Sequence, residues 1–269
     1  MMRLLSLPIL SLFLSLTLTA CSGDGTKSDE FADWSALDFY EQATASLQAG
    51  EFEAAIKNLE NLEARFPFSP YARQAQLDVA YAYYKFDEPE SAIAAADRFI
   101  RLNPRDANVD YAWYLKGLAD YNRGKGIMDG FFPRDISQHD NKSMHSALSS
   151  FSTLVKRYPD SRYAMDSYQH MVYLRNKLAD AEIHAANYYI KRKAWLAAAK
   201  RGQYVLETYP TTPASRTALE VMVKAYTELK LDDLAGDALA VLNANKVPAQ
   251  QIAAADVELK APDFNKPAN

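Results

Sequence analysis

The chain has 269 residues, 49% of them apolar, which is ample for a core, and its nine glycines are few for a sheet protein. Its formal charge of -4 becomes -5 if residues 1–20 are removed, because Arg3 is the only charged residue there (-4 - 1 = -5). A mildly acidic chain is a poor electrostatic match for nucleic acid. One cysteine excludes an internal disulfide and a multi-cysteine metal site.

Met1-Met2-Arg3 followed by the apolar run Leu4 to Leu18 is a positive start and a stretch too short to span a bilayer, which needs ~20 residues. It reads as a signal peptide over residues 1–20. The run closes in Leu18-Thr19-Ala20-Cys21, which resembles the bacterial lipobox and implies that Cys21 is the lipidated first residue of the mature chain. Several acyl chains there would anchor stably where one would not. The bland alternative is an ordinary signal peptide with a cysteine nearby. Ser22 after the cysteine, in place of Asp, points to export to the outer membrane. Residues 21–33 are polar, small and acidic, and read as a tether.

From residue 34 to 248 the chain repeats. Pro67, Pro104, Pro159 and Pro210 each close an apolar-periodic helix. Twelve residues before each stands an alanine: Ala55, Ala92, Ala147 and Ala198. Five before each stands a larger apolar residue: Leu62, Phe99, Leu154 and Val205. Further upstream come Ala43, Ala80, Gly117 and Ala186, small enough for two antiparallel helices to approach closely. This is the spacing of tetratricopeptide (TPR) repeats. It predicts an all-α, right-handed superhelical α-solenoid of about five helix pairs, over residues 34–70, 71–105, 110–162, 178–213 and 215–248, with a polar tail at 249–269. An extra helix is expected at Tyr163 to Asn176, before the fourth pair.

The third pair departs from the pattern. Gly117 to Ala147 spans 30 residues where the other pairs use 12, so about 18 are inserted. The insert at 123–142 is glycine-rich and carries Phe131 and Phe132, which either hook a partner or tuck back onto their own repeat. Charge is uneven along the chain. Asp38 to Glu63 holds six acidic residues against Lys57, while Lys156 to Arg201 holds ten basic against four acidic. Two different docking surfaces would follow from that asymmetry, although a solvated basic face is the plainer reading of any single lysine.

In a TPR array the first helix of each pair lines the inner face. Residues three before, one after and four after the small position then face inward: Tyr40, Thr44, Leu47; Leu77, Tyr81, Tyr84; Tyr114, Leu118, Tyr121; Ile183, Asn187, Ile190. Tyrosine gives a broad apolar face and a polar tip at small entropic cost, a composition suited to holding an extended peptide. The competing reading is that these tyrosines pack between repeats. No Gly-x-Gly-x-x-Gly, Walker lysine, Gly-x-Ser-x-Gly or His-Glu-x-x-His is present, and His139, His145, His170 and His184 share no metal-type spacing. No enzyme activity and no cofactor are expected.

The residues resemble the BamD family of TPR lipoproteins in the β-barrel assembly machinery of outer membranes. The likeness lies in Arg65-Phe66-Pro67-Phe68 with Pro70-Tyr71, Tyr81-Ala82-Tyr83-Tyr84-Lys85, Asp97 to Pro104, Gly130-Phe131-Phe132 with Arg134-Asp135, Phe151 to Pro159, and Ala186-Asn187-Tyr188-Tyr189 with Ala194-Trp195. The resemblance implies a scaffold that binds the periplasmic POTRA domains of the insertase BamA, works beside other lipoproteins of the machinery, and receives unfolded outer-membrane proteins through their aromatic C-terminal signals. It places substrates on the first repeats and BamA on the last ones, where Arg201, next to Lys200, matches a basic contact. The alternative is a TPR lipoprotein adaptor for peptidoglycan-synthesis enzymes.

Overall fold

The structure, a computed structural model, describes residues 31–123 and 141–245. Cys21, Phe131 and Phe132 lie outside the described residues. The described chain is built from α-helices, with no strand among the described residues. In order these are α1 (Ala36–Ala49), α2 (Phe52–Arg65), α3 (Ala72–Lys85), α4 (Pro89–Leu102), α5 (Val109–Asn122), α6 (Asn141–Arg157), α7 (Ala164–Lys191), α8 (Trp195–Thr208), α9 (Ala214–Glu228) and α10 (Asp232–Ala244). Each packs on the next, α3 also meets α5, and α7 also meets α9, as in an α-solenoid of TPR-like pairs.

Local chemistry sets the helix ends. Ser35 and Asp38 form a reciprocal capping box at the start of α1: Asp38 N–H donates to Ser35 Oγ and Ser35 N–H to Asp38 Oδ2. Within a pair, the turn needs one residue in the left-handed region. Gly50 (φ 77°) supplies it after α1, while Asp87 (60°), Lys193 (58°) and Lys230 (58°) fill the same place after α3, α7 and α9. Between pairs, the proline turn repeats: Ser69, Asp106, Ser161 and Thr212 each donate a backbone N–H to the carbonyl three residues back, in Phe66, Asn103, Tyr158 and Tyr209.

The spacing of small residues decides the packing. Ala43, Ala55, Ala80, Ala92, Ala147, Ala186 and Ala198 are all at most 1% exposed, and so are Leu62, Phe99, Leu154 and Val205. Around them lie Phe39, Leu59, Leu115, Phe151, Leu174 and Leu178, each contributing about 1.5–3 kcal/mol by leaving water. Where helices cross most closely a side chain is excluded: a Cβ on Gly117 would sit 2.5 Å from the Phe151 ring.

One expectation is corrected. The extra helix predicted at 163–176 and the first helix of the fourth pair are one 28-residue helix, α7. Asn176-Lys177-Leu178-Ala179 contains no proline or glycine to stop it, and Leu174, Leu178 and Ala179 are buried through the supposed junction. The helix therefore continues, and its first half closes over α5 and α6.

Candidate functional site

The first helices α1, α3 and α5, continued by the first half of α7, share a face built largely from tyrosine. Tyr40 on α1 stacks on Tyr71 at 5.3 Å between ring centres, and its hydroxyl donates to Asp78 Oδ2 on α3 at 3.3 Å. Gln74, one turn before Asp78, donates to the other carboxylate oxygen at 2.8 Å. Tyr111 and Tyr114 on α5 both stack on Tyr163, at 5.1 and 4.8 Å. The Tyr114 hydroxyl donates to Asp166 Oδ2 at 2.6 Å, and His170 Nε2 lies 3.2 Å from that same oxygen. Asn122 donates to the Tyr84 hydroxyl at 3.0 Å. Arg162 stands over the Tyr163 ring at 4.7 Å and donates to its hydroxyl.

The electrostatics follow from partial burial beside carboxylates. Burial, then the Asp166 hydrogen bond and charge, hold the Tyr114 phenol well above its ordinary pKa; burial and Asp78 also raise that of Tyr40. Asp78 itself is pushed up, because the cost of burying its charge outweighs the hydrogen bonds from Gln74 and Tyr40. For Asp166 burial pulls upward too, but His170 and Tyr114 outweigh it and its pKa lies below the usual carboxylate value.

Of the residues expected on this face, Tyr40, Leu47, Tyr81, Tyr84 and Tyr114 are half-buried and Leu77, Leu118 and Tyr121 are not on it. Leu77 (2% exposed) belongs to the core of the first pairs, and Asp78, one residue on and about 100° around the helix, faces outward instead. Tyr121 (7% exposed) is covered by α7, its ring edge-on to His170 at 5.2 Å and to Tyr173 at 6.0 Å. Leu118 (8% exposed) packs in the core of the later pairs, and all three are corrected to core positions. Sequence reasoning missed Asp78, Asp166 and Tyr163. The register of the small positions could have flagged Asp78, two residues before Ala80, whereas Tyr163 and Asp166 belong to the helix outside the repeat count.

Lys200 is exposed on α8. Arg201 beside it is half-buried and donates to Glu182 Oε2 of α7 at 2.8 Å, a bond that holds its pKa above the ordinary value. Among the described residues no three His, Cys, Asp or Glu side chains gather as metal ligands, and no helix is long and apolar enough to cross a membrane.

Comparison with known proteins adds the family context. The profile of the family described as "YfiO: Outer membrane lipoprotein" matches residues 32–242. The chain is 40% identical over 240 residues to "Outer membrane protein assembly factor BamD" of Neisseria meningitidis serogroup A, covering 88% of this chain and 90% of that one. It is 37% identical over 218 residues to the protein of the same name in Vibrio cholerae, covering 81% and 90%. Among solved structures, a thermophilic TPR protein of Thermus thermophilus superposes with a TM-score of 0.37 at 11% identity, covering 84% of this chain and 98% of that one.

Proposed function

The chain belongs to the outer-membrane lipoprotein family that includes the assembly factors named BamD, and from that premise we propose how it works as a scaffold in inserting β-barrel proteins. At the coarse level it is an outer-membrane-associated protein assembly factor. In our reading it performs no reaction. The tyrosine face of α1, α3, α5 and α7 receives unfolded outer-membrane proteins through their aromatic C-terminal signals. The α7–α8 region, with exposed Lys200 and half-buried Arg201, meets the POTRA domains of BamA, and other lipoproteins of the machinery dock alongside. Phe131 and Phe132 offer a further apolar hook. Lipid on Cys21 holds the solenoid at the periplasmic face of the membrane.

The observation that carries this reading is the run of half-buried tyrosines spanning three helix pairs on one face. Aromatic rings with fixed hydroxyls can hold a series of partly apolar side chains while losing little rotamer freedom. Purification of the lipid-anchored chain from cross-linked membranes tests it. Recovery of a barrel insertase supports the reading, and recovery of penicillin-binding proteins in its place supports the peptidoglycan adaptor.

A further inference from the structure

We propose that the tyrosine face selects segments carrying a cationic side chain beside their aromatic ones, with Asp78 as the receiving carboxylate. The inference rests on the reading of this face as the binding surface and adds its charge preference.

Elsewhere in the fold, four carboxylates shielded between helices are matched with a cation, while the half-buried Asp110 accepts from Ser161 Oγ. Asp97 meets Lys116 at 2.7 Å, Asp106 meets Arg73 at 3.1 Å, Glu182 meets Arg201 at 2.8 Å, and Glu63 meets Arg98. Each of these pairs joins two helices or a helix and a turn. Asp78 on the tyrosine face is treated differently. Among the described residues Asp78 accepts from the neutral donors Gln74 and Tyr40, whereas Asp166 accepts from Tyr114 and lies 3.2 Å from His170 Nε2, which together hold its pKa down. Asp78 has no lysine, arginine or histidine within ion-pair distance among the described residues.

A half-buried carboxylate without a cation is a cost to the fold, and burial does hold the Asp78 carboxyl above its usual pKa. An incoming ammonium or guanidinium group removes that cost on binding. The neighbouring ring favours the same ligand, since Tyr40, which donates to Asp78, belongs to a stacked tyrosine pair whose π-systems are negative and attract cations. Arg162 is already committed to Tyr163 and stands at the α7 end. A segment with acidic side chains beside its aromatic residues would meet like charge instead, so the preference is ordered: cationic, then neutral, then acidic.

The test uses the full lipidated chain in detergent and three fluorescent peptides of equal length. All end in the same aromatic residues and differ at one neighbouring position, which is Lys, Gln or Glu. Expected is about tenfold tighter binding of the Lys peptide than of the Gln peptide, with the Glu peptide weakest, and loss of the Lys advantage in D78N. Equal affinity for all three peptides would overturn the charge preference and leave the aromatic-signal reading standing. Failure of every peptide to bind would overturn both. The peptide series on the unaltered chain decides the matter even where a variant folds poorly.

Discussion

The phenol of Tyr114 on α5 donates to Asp166 on α7 at 2.6 Å, tying together two helices whose partners stand 52 positions apart. With Asp166 held below its usual pKa, the bond contributes fully above about pH 4 and fades as pH falls through the lower folded value. Tyr114→Phe should therefore cost about 1 kcal/mol at pH 7, at the low end for a charged acceptor because the Asp166 side chain is 40% open to water. The difference in urea midpoint between variant and parent should shrink below pH 4. A gap that stays constant down to pH 2 would contradict the assignment.

Asp78 has the opposite sign. Its folded pKa is raised, so ionisation works against the fold, and the penalty grows as pH rises past the unfolded value near 3.8. Asp78→Asn should be at least as stable as the parent at pH 7, because the Gln74 amide can turn to keep the hydrogen bonds. The thermal midpoints should converge below pH 4. A loss of several degrees at pH 7 would instead show the carboxylate to be a structural element.

Close helix crossings predict the cost of a single methyl group. At Gly202 a Cβ would lie 2.8 Å from Met222 Cγ and 2.9 Å from the Ala218 carbonyl oxygen, which is backbone and cannot swing aside. Gly202→Ala should destabilise by about 1–3 kcal/mol, even though alanine is the better helix former by about 1 kcal/mol. Conversely, Lys230 sits at φ 58°, where a Cβ is strained, and Lys230→Gly should raise stability by about 0.5–1 kcal/mol. Chemical denaturation of both variants gives the signs directly.

Arg201 and Lys200 separate stability from docking. Arg201→Ala leaves Glu182, whose side chain is 15% exposed, without its partner and should lower stability by about 1–2 kcal/mol. Lys200→Ala should leave stability within about 0.5 kcal/mol. Thermal denaturation of the pair tests this, and equal melting points for the two variants would show that the Arg201–Glu182 bond carries no weight.

The repeats were legible because they are written in residues that tolerate little else. Ala80 and Gly117 mark where helices touch, and Pro67 or Pro210 marks where a pair ends, so position alone carried the packing. The face was legible only to within a residue of helix phase, which exchanged Leu77 for Asp78. Tyr121 was misplaced because its cover comes from the first half of α7, a segment with no counterpart in the repeat spacing. Polar partners such as Asp166 and His170 lie in that same segment. They are defined by tertiary contact across α5 and α7 and leave no periodic trace in the sequence.

The central claim is that the first-helix tyrosine face holds unfolded client chains. A photo-cross-linking amino acid in place of Tyr81, compared with one in place of Glu53 on α2, in the membrane-anchored chain during synthesis of a β-barrel protein, tests it most directly. The account predicts a covalent adduct with the unfolded client at position 81 and none at position 53. Adducts at both positions alike, or at position 53 alone, would contradict it.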